Sequence, residues 1–182
     1  PRSSRFFYGE NELRKEYNKL IDEEINKLYK LTQKYKTSKS RGEIWLRLAE
    51  RYVEKGKIIE FASQDNYDKK IKLWEQKKIS KKPVLPKDPG KKYYLRAIQA
   101  YEWFVRDFPK DPKVPQALYF LGYSNFEIGN EKRGESYYKE LTQRFPSSVY
   151  VDESHFALGE HYFEKEKWDQ ALEQYGYLTN KK

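Results

Sequence analysis

Cysteine is absent from this sequence, which excludes a disulfide framework, a cysteine-ligated metal site and thiol catalysis. Long apolar runs are absent as well, because no stretch approaches the roughly 20 apolar residues that a membrane-spanning helix needs. The 9 glycines form no cluster, so the sequence lacks a glycine-rich phosphate-binding loop. The chain begins at Pro1 without a methionine, and we expect it to be a processed or trimmed piece of a longer protein.

Histidine is scarce: His155 and His161 are the only two. Their separation of six residues on one predicted helix points them to different faces, which suits neither a metal pair nor a catalytic dyad. We expect His155 to pack at an aromatic position and His161 to lie at the surface. Neighbouring carboxylates such as Asp65 and Asp68 are explained by solvation and by helix N-terminal charge. The sequence therefore predicts a non-catalytic protein without a metal or cofactor.

One sequence pattern occurs twice in the C-terminal half. The stretch from Ala117 to Pro146 aligns with the stretch that begins at Ser154 when the sequence is shifted by 37 residues. A fixed period of this size is the signature of a solenoid. The aligned pairs are Leu121-Gly122 with Leu158-Gly159, Phe126 with Phe163, Gly134 with Ala171, Tyr138 with Tyr175, and Leu141 with Leu178; the same shift backwards meets Ala97, Tyr101, Phe104 and Phe108-Pro109.

The spacing within each unit resembles the tetratricopeptide repeat (TPR), a helix-turn-helix unit. Small residues let its two helices approach closely, aromatic residues fill the space beside them, and a proline stops the second helix. The residues at the family positions are Trp45, Leu118 and His155 (tryptophan site); Leu48-Ala49, Leu121-Gly122 and Leu158-Gly159 (Leu-Gly); Tyr52, Asn125 and Tyr162 (first aromatic); Ala97, Gly134 and Ala171 (small site); Tyr101, Tyr138 and Tyr175 (second aromatic); Pro109 and Pro146 (closing proline).

The resemblance implies an all-α fold, a right-handed superhelical stack of antiparallel helix hairpins. The repeat exceeds the usual period of about 34 residues, and its extra residues follow the closing proline at Ser147 to Val151. A long repeat that closes in Phe-Pro-x-Ser or Asp is similar to the bacterial envelope branch of the family, which includes the Bam-complex lipoprotein and the Tol-Pal coordinator. That branch implies a periplasmic or outer-membrane-associated scaffold, with a cytoplasmic location as the alternative.

The predicted organisation is a capping helix followed by three helix hairpins, the first of them interrupted. We expect an irregular Pro1–Gly9, a helix from about Glu10 to Lys36, a capping box at Ser40–Glu43 and a turn at Glu54–Gly56. Helices should follow over 93–108, 114–128, 132–144, 151–165 and 168–178. The predicted domains are 1–40 (N-terminal segment and capping helix), 41–109 (a TPR-like unit with a Lys/Pro-rich insertion at about 57–92), 110–146 and 147–182 (TPR units).

In this family the first helix of each hairpin lines the concave groove. Seven of the twelve positions carried over are glutamate and none is basic, although the chain has a net charge of +9. This pattern predicts an acidic, aromatic-studded cleft for a basic or amphipathic partner segment; ordinary solvated helix faces are the alternative. The positions are Glu43, Leu46, Glu50 and Glu54; Gln116, Tyr119, Tyr123 and Glu127; and Glu153, Phe156, Glu160 and Glu164, with Phe126 and Phe163 at the edge.

Positive charge is concentrated in the front half of the sequence. Residues 1–92 have a net charge of +11, and residues 93–182 a net charge of −2. The part of the insertion from residue 69 to 92 has ten lysines and a net charge of +8. This segment is consistent with a soluble linker, or with a contact to anionic lipid or an acidic partner. A nucleic-acid contact is a third alternative, which is disfavoured because the lysine run lacks arginine and interleaved aromatic residues. The lysines are Lys69, Lys70, Lys72, Lys77, Lys78, Lys81, Lys82, Lys87, Lys91 and Lys92.

These features predict a non-catalytic protein-interaction scaffold, part of a bacterial cell-envelope complex, that binds a protein partner through the groove. The alternative is a membrane-surface or nucleic-acid binder that uses the lysine-rich insertion. Salt dependence should separate them, because polyanion binding weakens steeply with salt and aromatic-anchored binding weakens less.

Overall fold

The computed structural model describes residues 2–38 and 40–179, with side chains described from residue 12 onward. Its described residues form seven helices and no strand, which confirms the predicted all-α class. By contacts the chain divides into two compact units, residues 1–100 (unit 1) and 101–182 (unit 2). The division into repeat units stays a prediction. The helices are α1 (Arg2–Lys34), α2 (Arg41–Glu75), α3 (Lys91–Asp107), α4 (Val114–Glu127), α5 (Glu131–Arg144), α6 (Tyr150–Glu164) and α7 (Trp168–Thr179).

In unit 1, the long helices α1 and α2 pack against each other. Ile21, Ile25 and Leu28 of α1 are buried, and their spacing of four and three residues puts them on one helix face. The helices are antiparallel, because Arg14 lies over the Phe61 ring while Asp22, further along α1, pairs with the earlier Lys55 of α2.

The turn predicted at Glu54–Gly56 is wrong. Gly56 lies inside α2, and a β-carbon there would be 2.7 Å from Cζ of Tyr94. The Tyr94 ring packs on this glycine, and its hydroxyl donates a 2.7 Å hydrogen bond to Glu60 one turn later. No proline or further glycine stops the helix until its end at Glu75. The front of the predicted insertion is therefore a continuation of α2.

Two expectations about helix starts also need correction. The segment Arg2–Gly9 is helical instead of irregular, because one glycine costs a helix only about 1 kcal/mol and the segment contains no proline after Pro1. From the sequence, Phe6, Phe7 and Tyr8 are candidate anchors; their side chains lie outside the described residues. Ser40 is the N-cap of α2 as expected, but it makes no side-chain capping bond. Its ψ of 0° already turns the backbone toward the helix, and the Ser38 hydroxyl accepts from the Ser40 amide instead.

In unit 2, α4 pairs with α5 and α6 pairs with α7, and α6 also contacts both α4 and α5. The helix limits agree with the predicted ones to within two residues. Gly122 and Gly159 are buried, as predicted. A β-carbon on Gly122 would lie 2.5 Å from Cδ1 of Tyr138, and one on Gly159 would lie 2.5 Å from Cε1 of Tyr175. Both glycine–tyrosine contacts recur at the 37-residue period.

The turns inside the two hairpins also match at this period. The amide of Asn130 bonds the Asn125 carbonyl at 2.8 Å, and the amide of Lys167 bonds the Tyr162 carbonyl at 2.9 Å. Both turns place the residue before that amide at positive φ, which is Gly129 (φ 77°) in the first hairpin and Glu166 (φ 57°) in the second. This geometry is a Schellman motif, in which glycine is preferred because it has no β-carbon.

Replacing Glu166 by glycine should therefore stabilise unit 2 by about 0.5–1 kcal/mol, because it relieves the left-handed strain of a residue with a side chain. Chemical denaturation of wild type and variant measures the difference. The matched control is Gly129→Ala, which should destabilise by about 1 kcal/mol. A loss of stability on Glu166→Gly would contradict this account of the turn.

Candidate functional site

Two side-chain stripes on the first helices of the unit 2 hairpins form the candidate site. Tyr119, Tyr123 and Glu127 follow one another at four-residue steps on α4, as Phe156, Glu160 and Glu164 do on α6, so each set lies on one helix face. The helices α4 and α6 contact each other directly, and Tyr119 of the first stripe lies against Tyr150 and near Glu153 of α6. Together with Glu153 these residues define what we call the acidic–aromatic face.

Tyr119 joins the two helices of this face. Its half-buried ring stacks on Tyr150 of α6 at a centroid distance of 5.3 Å and lies 5.7 Å from Tyr138. Burial raises the pKa of Tyr119, and the negative charge of Glu153 and the neighbouring Tyr150 raise it further. Tyr119, Tyr150 and the Glu153 carboxylate are thus packed close together across α4 and α6.

Carboxylates of the face also surround tyrosine hydroxyls of the second helices. Burial raises the pKa of Tyr138, and Tyr119, Tyr123 and Glu127 act in the same direction. The hydroxyl of Tyr175 donates a hydrogen bond to Glu160, and this bond, burial and the charges of Glu160 and Glu164 raise the pKa of Tyr175 to about 12. Both tyrosines therefore stay neutral at physiological pH, and the face carries only negative charge from its glutamates.

The aromatic residues of the face differ in how available they are. The Phe156 side chain is 54% exposed. Its ring centroid lies 6.4 Å from that of Tyr175 on α7. Tyr119 is held in the aromatic packing of α4 and α6, so it shapes the face more than it offers a free ring. Phe156 is therefore the candidate anchor for a partner.

The sequence-predicted positions on α2 lie in unit 1. Glu43 is exposed and Glu50 is half-buried. Glu54 accepts a hydrogen bond from Tyr17 of α1 and pairs with Arg51; burial raises its pKa, which Lys57 opposes. Leu46, assigned to the groove from sequence, is instead fully buried in the core, because the packing of unit 1 covers the face of α2 on which it lies.

The two histidines have different roles from each other. His155 is a packing residue, as predicted: it stacks on Tyr177 at 3.8 Å, with Nδ1 2.9 Å from Oε1 of Gln174. The prediction that His161 lies at the surface is wrong, because its side chain is about nine-tenths buried. Its ring lies 4.9 Å from Phe126, and Nε2 lies 3.5 Å from Oε1 of Glu135. Packing of α6 on α5 encloses it, which the spacing of the two histidines could not show.

The ten lysines of the predicted basic insertion are all exposed. Lys69 pairs with Asp65 at 2.6 Å, and the ammonium of Lys82 lies 5.3 Å from the Trp74 ring centroid. Both contacts join residues four to eight positions apart in the sequence, and both lysine side chains remain exposed.

From the sequence, Tyr175 and Tyr150 were not assigned to the site, and the burial of the charged side chain of Lys55 was not predicted. Tyr175 could have been found, since it pairs with Gly159 as Tyr138 pairs with Gly122. Tyr150 was hidden among the extra residues that follow the closing proline. The burial of Lys55 against α1 had no signal in the sequence.

The described residues also bear on metal binding and on membrane crossing. Residues 12–38 and 40–179 contain no group of three or more acidic or histidine side chains placed to hold a metal ion. No helix within the described ranges is long and apolar enough to cross a membrane. No family model matches the chain, and no curated protein matches it significantly.

Proposed function

We propose that this protein is a non-catalytic interaction scaffold of the tetratricopeptide-repeat type, which binds a basic or amphipathic segment of a protein partner on the acidic–aromatic face. The observation that carries the proposal is the junction of α4 and α6. There, Glu127, Glu153, Glu160 and Glu164 lie near packed tyrosines of the two hairpins, and Phe156, on the same helix as three of them, is 54% exposed. Aromatic anchors ringed by charge of one sign suit a partner segment of the opposite sign.

The repeat assignment is supported by the geometry of unit 2. Its two hairpins place equivalent glycine–tyrosine contacts and equivalent Schellman turns at a 37-residue offset. In a solenoid each repeat buries its apolar face only on its neighbours. Such a fold needs no large central core, which is consistent with a chain in which only 37% of residues are hydrophobic. The long repeat that closes at Phe145-Pro146 is what leads us to propose a bacterial cell-envelope complex, at the periplasmic side or the outer membrane.

The glutamates and the ring should contribute differently to binding. Phe156 offers a large apolar area with few torsions to immobilise, so it should determine how slowly the partner leaves. Glu164 is exposed and should mainly raise the association rate of positively charged segments.

The test uses the full chain and an array of synthetic amphipathic peptides whose net charge runs from negative to positive. Positively charged peptides should bind best. Phe156→Ala should weaken the best of them by about 10- to 100-fold, mostly through faster dissociation. Glu164→Lys should slow association and reduce its salt dependence.

Two matched controls lie on α7. Leu172→Ala removes a side chain that is 67% exposed, and Glu173→Lys makes the same charge change as Glu164→Lys at an exposed site. Both should leave binding unchanged. Equal binding of acidic and basic peptides, or full affinity of Phe156→Ala, would refute the proposed face.

A further inference from the structure

The end of α2 and the segment after it form a two-limbed arm in unit 1. One limb is the last two turns of α2, from Lys69 to Glu75; the other, residues 76–90, runs back along it. Lys82 of the returning limb lies over Trp74, and Gly90 is packed beside the Gly56 carbonyl and Glu60. Gly56 and Glu75 are 19 residues apart, so α2 extends about 28 Å beyond the point where the chain returns. We call residues 69–90 the basic arm.

The first limb of the arm ends in a helix C-cap at which the chain turns into the second limb. The amide of Lys78 bonds the Leu73 carbonyl at 2.9 Å, and the amide of Lys77 bonds the Trp74 carbonyl at 2.9 Å. Lys77 takes the left-handed conformation at φ 55°. This Schellman motif reverses the chain at the end of α2 and brings lysines of both limbs to one end of the arm.

The charge of the arm is almost entirely positive. Its eight lysines are all exposed, and its acidic residues are Glu75 and Asp88. Lysine places a hydrated point charge on a flexible stem, in contrast to the rigid fork with which arginine recognises individual carboxylates or phosphates. The arm has no arginine, so its charge suits a diffuse anionic surface better than a single anionic group.

An apolar pair lies in the middle of this charge. Val84 is 82% exposed and Leu85 is 44% exposed. Pro83 and Pro86 flank them, and proline disfavours the helical conformation for the residue before it and lacks an amide for a strand. The backbone therefore holds Val84 almost wholly in solvent and Leu85 partly so, between lysines on either side of the pair.

We propose that the basic arm docks on the surface of an anionic lipid bilayer, with Val84 and Leu85 entering the interface and the lysines contacting the headgroups. Charge complementarity and the exposed apolar pair together favour this occupant. A single-stranded nucleic acid would need exposed rings for base stacking, but the Trp74 ring is half-buried and has Lys82 over it. A duplex, which is bound mainly through its phosphates, would leave the apolar pair without a role. This inference is independent of the acidic–aromatic face, which lies in unit 2.

The two groups of residues act over different ranges. The lysines attract the anionic surface over roughly a Debye length, about 8 Å at physiological salt, so this part of the binding falls as salt rises. The apolar pair acts only on contact and is much less affected by salt. A peripheral membrane contact of this kind requires no membrane-spanning helix.

The first test is co-sedimentation of the full chain with phosphatidylcholine vesicles with and without phosphatidylserine. Binding should require phosphatidylserine. Replacing Lys77, Lys78, Lys81 and Lys82 by glutamine should lower the partition constant by up to about 600-fold, since each lysine near such a surface contributes about fivefold. The control replaces four exposed lysines near the C-terminal end of α1, far from the arm: Lys27, Lys30, Lys34 and Lys36. Its partition constant should fall far less. Equal losses in both variants, or binding without phosphatidylserine, would overturn the proposal.

The second test separates a bilayer from a soluble polyanion. The chain has no cysteine, so Val84→Cys provides a single site for an environment-sensitive fluorophore. Its emission should shift to the blue with phosphatidylserine vesicles and should not shift with duplex DNA; Lys87→Cys, an exposed charged position on the same limb, is the control label and should shift less. A Val84→Ser, Leu85→Ser variant should bind vesicles about tenfold more weakly. If the chain binds DNA as tightly as it binds vesicles, and the double change leaves DNA binding unaffected, the ligand of the arm is a nucleic acid and the lipid proposal is wrong.

Discussion

Replacing Gly122 by leucine is expected to destabilise unit 2 by about 3 kcal/mol or more, measured by chemical denaturation. Added atoms at Gly122 would meet the Tyr138 ring within 2.5 Å of the first β-carbon. Tyr138 is 1% exposed and is held by Phe126, at a centroid distance of 5.5 Å, and by Tyr119. The ring has no direction in which to move, and overpacking of this kind typically costs 1–3 kcal/mol and occasionally more.

The equivalent change at Gly159 is the comparison that tests the explanation. Its partner Tyr175 is only half-buried, so the ring can turn outward and give up its hydrogen bond to Glu160. Gly159→Leu should therefore cost about 1–2 kcal/mol, less than Gly122→Leu. If neither variant changes the unfolding midpoint, the helix register inferred from the repeat is incorrect; if the two cost the same, the mobility of the tyrosine is not what limits them.

Removing the carboxylate of Asp22 is expected to destabilise unit 1 by about 2–3 kcal/mol. The ammonium of Lys55 is buried between α1 and α2, 2.6 Å from Oδ1 of Asp22 and 2.6 Å from Oδ1 of Asn18. Breaking a fully buried ion pair costs about 3–5 kcal/mol, because one charge stays buried without its partner. The expected loss of stability is smaller here because Asp22 is 47% exposed and water screens the ion pair.

A double-mutant cycle identifies the origin of this loss. Lys55→Met keeps a similar length without the charge, and replacing a buried ion with an apolar side chain is often close to neutral. In the Lys55→Met background, Asp22→Ala should then cost only a few tenths of a kcal/mol, as a surface change does. Asp68→Ala, at an exposed site of α2, is the control for loss of a carboxylate alone. A full loss in the Lys55→Met background would show that Asp22 acts through another contact.

The acidic–aromatic face and the basic arm carry opposite charge and belong to different units. The face carries glutamates and the half-exposed Phe156, and the arm carries lysines before and after Val84 and Leu85. Proposed ligands for the two surfaces are accordingly a positively charged protein segment and an anionic bilayer. The peptide and vesicle assays can thus fail or succeed separately, so one result does not decide the other.

Much of unit 2 could be predicted because its information is local. Helix limits follow from the 3.6-residue spacing of apolar residues and from the prolines that close the helices, all of which are readable within one repeat. The residues of the acidic–aromatic face were instead expected from the resemblance to the tetratricopeptide repeat, which implies that the first helix of each hairpin lines a groove. Their separate roles could not be predicted, because only contacts show that Tyr119 is packed against Tyr150 while Phe156 remains half exposed.

Unit 1 shows where local information is insufficient. The Glu54–Gly56 segment has the residues of a turn, yet Gly56 is helical because Tyr94, 38 residues later, packs on it. Leu46 has the spacing of a surface stripe, yet it lies in the core. In both cases the packing of residues distant in sequence overrides what the local sequence pattern predicts.

The sequence by itself determined the all-helical class, the 37-residue offset of the two C-terminal hairpins and the burial of Gly122 and Gly159, because these depend on side chains close together along the chain. Only the tertiary structure decided that α2 continues to Glu75, that His161 and Lys55 are enclosed, and that Val84 and Leu85 remain in solvent. The physical reason is that burial and the ends of long helices depend on which distant surfaces come together, and a glycine, histidine or lysine is compatible with either outcome until its neighbours are in place.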